Sequence, residues 1–333
     1  MKPLFLGSVV ERSGKSMVAL GLAKNFHGKI GYFKPFKEML MCVGDKVVDQ
    51  DAYLMKKALE LKFEENAISP FTYDVFSSPS MKEIVKAYRN VSGQADLMII
   101  EGTRDITTGC LHDVSGIALA KELSADIILI SSSQAPALDK ICLLRRFMSH
   151  YKLALKGVIL NTSDDPAVPG LLESKGIPVL GSIPTATDLR IFRVRDLADY
   201  MSAQVLAGEQ GMDRVIDKIL VGAMTAETAI KPMRRVPRKA LITGGDRADI
   251  QLAALSTDTS CLILTGGLKP ARTVMSKAEE LKVPVLLVDQ STMVTAEMVE
   301  HVIARLDPDD KNKIELIKEL IEENVDLGRV FAD

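Results

Sequence analysis

The stretch from Pro3 to Ala23 constrains this chain more than any other. Pro3-Leu4-Phe5-Leu6-Gly7-Ser8 is a short apolar run that reads as a buried strand. Val9 to Ser16 (Val-Val-Glu-Arg-Ser-Gly-Lys-Ser) breaks the pattern, and Met17 to Ala23 resumes with helical composition. Strand, tight loop, Gly-Lys-Ser and helix in that order predict a phosphate-binding P-loop. Backbone N–H groups at a helix N-terminus offer an anion site, which the helix dipole reinforces. Gly14 lets the backbone approach a phosphate, Ser13 lies beside it, Lys15 reaches the β/γ oxygens, and Ser16 offers its hydroxyl to Mg2+. The strict motif wants glycine at position 9 and finds Val9. An ordinary strand–helix turn is the competing reading, and the flanking strand and helix favour phosphate. A lysine at a helix N-terminus is electrostatically awkward unless an anion sits there.

The rest of the first half repeats an α/β rhythm. Apolar runs at Lys29–Phe36, Ala95–Gly102, Ala125–Ile130, Leu155–Asn161 and Pro178–Pro184 alternate with helical segments at Asp49–Leu61, Met81–Arg89, Ile117–Leu123 and Leu138–His150. Such alternation predicts a parallel sheet with helices on both faces. Ligands of these sheets sit outside the carboxyl ends of the strands. Lys34, Glu101, Asn161 and Pro184 all fall at those ends. A carboxylate there must be solvated, paired or metal-bound, and Mg2+ takes one or two carboxylates plus phosphate oxygens. Glu101 is therefore a metal candidate, whereas Asp51, with Asp49 as its rival, is weaker on the residues alone because an acidic side chain near a helix start is favoured anyway. Ser16 as a plain helix cap, Lys34 as a surface charge and Asn161 as a turn residue are the bland alternatives. Arg190, Arg193 and Arg195 read as a solvated basic face rather than an anion clamp.

At 333 residues about two domains are expected, and the rhythm pauses at Gln204–Gly211, which sets expected domains of 1–207 and 212–333. The second restarts with a helix from Met212 and strands at Ile219–Gly222, Ala240–Arg247, Cys261–Gly267 and Val283–Val288, with a basic stretch at Lys231–Lys239. The turns Gly244-Gly245 and Gly266-Gly267 echo each other; receiving a ligand's phosphate at the following helix is one reading, and plain strand–helix corners needing positive φ is the favoured one. Ile314, Ile317, Leu320 and Ile321 make an apolar stripe on a helix over Asp309–Asn324, a core face before a dimer seam. Forty-two basic against 44 acidic side chains give a net charge of −2, which favours neither nucleic acid nor an anionic membrane. No apolar run approaches the roughly 20 residues of a spanning helix, and Lys2 leads directly into a strand with no signal peptide. Cys42, Cys110, Cys142 and Cys261 are scattered, which predicts reduced, mostly buried thiols of a cytoplasmic protein. A homo-oligomer is expected.

Over residues 3–190 the chain resembles dethiobiotin synthetase and the P-loop amidoligase-like enzymes around it. The carrying motifs are the loop itself, Gly31-Tyr32-Phe33-Lys34-Pro35, Asp51-Ala52, Ile100-Glu101-Gly102, Asn161 and Ile183-Pro184. The family loop also lacks the early glycine, and Ser8 stands where its motif opens with one. The resemblance implies that Lys34 faces substrate and γ-phosphate, that Asp51 and Glu101 bind Mg2+, that Asn161 reads adenine, and that Pro184 lines the base pocket. After Glu101 the family runs into a glycine-rich stretch, whereas this chain has Thr103-Arg104-Asp105. Asp246-Arg247, Thr265-Gly266-Gly267 and Thr295-Ala296-Glu297 make the second half resemble the small DRTGG domain. Together the halves resemble the N-terminal portion of long phosphate acetyltransferases. The acetyltransferase domain that follows there is missing before Asp333, so acetyl transfer is not expected.

The resemblance implies ATP and Mg2+ as cofactors, with Lys15 and Lys34 as catalytic candidates. One expectation is a nucleotide-responsive regulatory or scaffolding module whose second domain senses a small-molecule ligand or makes the dimer. The other is an ATP-dependent synthetase that phosphorylates a carboxylate or carbamate. A third is a binding protein centred on the second domain, its P-loop empty.

Overall fold

The computed structural model describes residues 1–303 and 306–332, and the chain divides into two compact units. The first begins with β1 (Leu4–Ser8), every residue of it buried, and α1 (Lys15–Asn25). β2 (Ile30–Phe33) follows, then a hairpin of β3 (Leu40–Val43) and β4 (Lys46–Asp49), α2 (Gln50–Ala58), α3 (Glu65–Ile68) and α4 (Met81–Ser92). Ser80 and Glu83 close a capping box that starts α4. The unit continues through β5 (Leu97–Glu101), α5 (Gly116–Glu122), β6 (Asp126–Ser131), α6 (Ala135–His150), β7 (Leu155–Asn161), α7 (Ala167–Ser174) and β8 (Val179–Ile183). Six parallel strands stand in the order β2-β5-β1-β6-β7-β8. Their continuous apolar runs are the mark of strands covered on both faces. The chain winds to one side of β1 and then to the other, so the carboxyl end of β1 is the topological switch point where a ligand crevice opens. The β3–β4 hairpin, invisible in the sequence reading, delivers Asp49 to the start of α2.

The second unit, residues 187–305, begins with β9 (Phe192–Arg193), α8 (Val194–Met201), β10 (Gln204–Ala207), β11 (Val215–Ile216) and β12 (Lys218–Val221). It goes on through α9 (Ala226–Arg234), β13 (Lys239–Gly244), α10 (Ala248–Leu255), β14 (Thr259–Thr265), α11 (Arg272–Leu281), β15 (Val285–Leu287) and α12 (Thr292–Ile303). Its five-stranded sheet runs β10-β15-β14-β13-β12, parallel except for β10. No helix starts at Met212: Met212 closes a turn on Glu209, and the β-branched residues after it form β11 and β12. The basic stretch is split between the end of α9 and the start of β13. The two glycine pairs differ. Gly266 and Gly267 have φ of +77° and +66°, whereas neither Gly244 nor Gly245 has positive φ. Gly245 is required for space instead, since a Cβ there would lie 1.7 Å from the Leu268 carbonyl oxygen.

The last elements, α13 (Lys311–Asn324) and α14 (Leu327–Phe331), return to the first unit. The expected boundary at 207–212 is thereby corrected twice. β10, read as a pause, pairs with β15, and the C-terminal helix packs on α1. A Cβ on Gly21 would lie 2.2 Å from Ile321 Cγ1, so the two helices approach closely. Asn25 donates to the Lys318 carbonyl at 2.9 Å, Asp326 N–H to the Leu180 carbonyl at 2.7 Å, and Phe331 meets Phe26 edge-on. The Ile314–Ile321 stripe is core, with Leu320 at its half-buried margin. Among the described residues no helix is long and apolar enough to cross a membrane. Cys42 and Cys110 are exposed, so the thiols are not mostly buried as expected; Cys261 alone of the four is fully so.

Candidate functional site

The P-loop leaves β1 at Ser8 and enters α1 through Gly14, whose φ of +85° suits glycine alone at little cost. A Cβ at Gly14 would also stand 2.2 Å from Asn161 Nδ2. That amide donates to the Ser13 carbonyl at 2.9 Å, while Asn161 Oδ1 accepts from Thr162 N–H at 3.0 Å. Ser13 and Ser8 share a 2.5 Å hydroxyl hydrogen bond beneath the turn. β7 thus props the loop through Asn161, and both ends of that amide are engaged within the protein. Lys15 is buried as the first residue of α1.

Ser16 donates to Glu101 Oε1 at 2.8 Å, and Tyr32 donates to Glu101 Oε2 at 2.8 Å. Glu101 ends β5 with 1% of its surface exposed. Burial, and next the charge of Asp51, raise its carboxyl to about 7. Lys34, 1% exposed, donates to Asp51 Oδ2 at 2.6 Å and Asp49 Oδ2 at 3.1 Å, and lies 3.6 Å from Glu38 Oε2. Burial works to strip its proton, but these carboxylates outweigh burial and hold the ammonium well above its ordinary range. Burial likewise opposes ionisation of Asp51, and the ammonium groups of Lys34 and Lys15 overcome it, so its carboxyl lies below the ordinary range.

Asp49 and Asp51 separate by role. Asp49 caps α2, accepting from Asp51 and Ala52 N–H at 3.0 and 3.1 Å, and it also accepts from Glu38 N–H. Its oxygens are committed, whereas Asp51 faces the lysines. Among the described residues no group of three or more carboxylate, imidazole or thiol side chains could hold a metal alone. Ser16, Asp51 and Glu101 are instead a partial set of hard oxygens, the kind that Mg2+ completes with phosphate and water. Past Glu101, Arg104 N–H donates to Glu38 Oε1 at 2.6 Å, and Asp105 pairs with Lys140.

Pro184 is exposed just beyond β8, where Thr185 N–H and Oγ1 clasp Asp164 at 2.8 and 2.7 Å. Arg193 and Arg195 are exposed beside Asp213, as a solvated face would be, and the side chain of Arg190 lies outside those described. Sequence reasoning missed Tyr32 and Glu38. An aromatic inside a strand reads as core, and a glutamate four residues past Lys34 carries no motif. At the carboxyl edge of the second sheet, Thr243 Oγ1, Gln251 Oε1 and Thr295 Oγ1 are buried without hydrogen-bond partners among the described residues.

A family profile described as an AAA domain matches residues 2–191, and one described as a DRTGG domain matches residues 196–302. The ATP-dependent dethiobiotin synthetase BioD of Nitrosopumilus maritimus is 25% identical over 210 residues, 57% of this chain and 91% of that protein. The phosphate acetyltransferase of a Synechocystis species is 26% identical over 355 aligned residues, 97% of this chain and 50% of that protein. The chain thus spans about half the length of that acetyltransferase and aligns with its N-terminal region. Among solved structures, the septum site-determining protein MinD of Pyrococcus horikoshii, complexed with Mg-ADP, is 18% identical with a TM-score of 0.37, over 57% of this chain and 84% of that one.

Proposed function

The chain belongs to the AAA-domain family, and on that premise we propose that its first unit binds Mg-ATP and that the protein works as a nucleotide-responsive, ligand-sensing regulatory module. The observation that carries this reading is the partly buried cluster at the switch point of the sheet. There Gly14, Lys15 and Ser16 meet Lys34, Asp51 and Glu101, drawn from three separate strands and helices. Ser16, Asp51 and Glu101 would hold Mg2+, which supplies charge neutralisation at the phosphates. The loop amides and Lys15 would bind and orient the phosphate oxygens. In the second unit, the unpartnered hydroxyls of Thr243 and Thr295 and the amide oxygen of Gln251 support a polar ligand at the strand ends.

A second reading, an ATP-dependent synthetase that activates a carboxylate or carbamate, has in its favour the 91% coverage of the dethiobiotin synthetase. Lys34 weighs against it. Three carboxylates of the protein already surround its ammonium, and Glu38 ties the segment after Glu101 to the same spot. A free carboxylate would have to displace one of them.

Calorimetry with ATP and Mg2+, on the protein and on Lys15→Ala, tests the nucleotide. Saturable heat that falls at least tenfold in affinity in the variant is expected, and a wild-type protein giving none would sink both readings. Phosphate release across a panel of small carboxylates and amines separates the two. Binding without stimulated turnover is expected; release that rises with one acid or amine would overturn the regulatory reading.

A further inference from the structure

Tyr32 belongs to none of the nucleotide-binding roles assigned above, yet its hydroxyl reaches the centre of the site. It stands opposite Ile99 in the parallel β2–β5 pair, and Glu101 lies two residues beyond Ile99. Tyrosine and glutamate therefore emerge on the same face of the sheet. The phenol is 2% exposed and donates to Glu101 Oε2, the oxygen that Ser16 leaves alone. Resting on the Mg-nucleotide reading, we propose that Tyr32 is the positioning residue of the metal carboxylate: it fixes Glu101 in one rotamer so that Oε1 is presented beside Ser16.

The two hydrogen bonds on Glu101 differ in consequence. A cation drawn to Ser16 and Glu101 competes with the Ser16–Glu101 bond, since both partners are its ligands. The Tyr32 bond lies on the other oxygen and survives. A glutamate side chain released from such an anchor regains rotamer freedom that metal binding must then remove. Partners behind a ligating carboxylate are worth about 10–100-fold in metal affinity. A tyrosine that merely packs would have no such selectivity, because losing its hydroxyl would weaken the fold and every ligand alike.

The test is ADP affinity by calorimetry in Mg2+ and in EDTA, for the full chain, Tyr32→Phe, Glu101→Gln and the double variant, with thermal melts confirming that each is folded. Affinities in EDTA should agree within about twofold, while the gain conferred by Mg2+ should fall about tenfold in Tyr32→Phe. Added to Glu101→Gln, Tyr32→Phe should change nothing further, because the group it positions is gone. An unchanged Mg2+ gain in Tyr32→Phe, an equal loss with and without metal, or additive losses in the double variant would overturn the proposal alone. A wild-type protein that binds no ADP, or gains nothing from Mg2+, would instead remove the nucleotide reading and this inference with it.

Discussion

Glu101 holds its proton to about pH 7 because burial and the neighbouring Asp51 charge both penalise the carboxylate, against an ordinary value of 4.5. Between those values the folded protein binds a proton that the unfolded chain has released, so stability declines as pH rises through the window. Asp51 runs the other way. Its lowered carboxyl adds stability above its ordinary 3.8 that is lost only as pH falls below that range, so the two effects separate. Melting temperatures from pH 5 to pH 8 should fall in the wild type, and the slope should flatten in Glu101→Gln, which has no proton to lose. Mg2+ with nucleotide should cancel the decline by favouring the ionised form, and a slope unchanged by that ligand would count against Glu101 as its carboxylate. At this scale much of the site was legible from the sequence. Ser16 meets Glu101 and Lys34 meets Asp51, since the carboxyl ends of β2 and β5 and the starts of α1 and α2 gather at one edge of the sheet. The Asp49–Asp51 choice was not legible, because only the hairpin geometry shows that Asp49 is spent on capping α2.

Helix α13 illustrates what a pattern tells and what it withholds. Its stripe announces a buried face but not the surface that buries it. That surface is α1, admitted at close range by Gly21. Ile317 is fully buried there, whereas the ammonium of Lys318, the next residue, points to solvent and pairs with Glu315. Ile317→Ala should cost about 2–5 kcal/mol in denaturant unfolding, and Lys318→Ala should leave the unfolding midpoint nearly unchanged. Comparable losses in the two variants would mean that the α1–α13 contact contributes little. The six strands of the first sheet were readable because each is a continuous apolar run. β10 was not, because it is short, lies at an edge, and sits among glycines that mimic a linker. The β3–β4 hairpin alternates weakly and half of its residues are exposed, so its period of two was faint.

The first unit is assembled from two distant parts of the chain, residues 1–186 and 306–333, with the second unit's 187–305 between them. Sequence order hides this, since a boundary can be sought only where composition shifts, and the return of α13 depends on packing over some 290 positions. The energetics make the return obligatory. Burial of Ile314, Ile317 and Ile321 is worth about 1.5–3 kcal/mol for each side chain, against a net domain stability of about 5–15 kcal/mol. Loss of Asp326 and Arg329 would further strip the Leu180 and Val179 carbonyls of their donors. A chain of residues 1–207, the expected first domain, should therefore melt well below the full protein and expose the α1 face to hydrophobic dyes. Residues 1–186 joined to 306–333 through a long glycine–serine linker should melt cooperatively and bind Mg-ATP within about threefold of the full chain, because every side chain of the nucleotide site lies in that unit. Should residues 1–207 prove as stable as the joined protein, α13 is an appendage and not part of the first core. Should the joined protein fold but lose Mg-ATP, the nucleotide site draws on residues 187–305, and its assignment to the first unit alone is wrong.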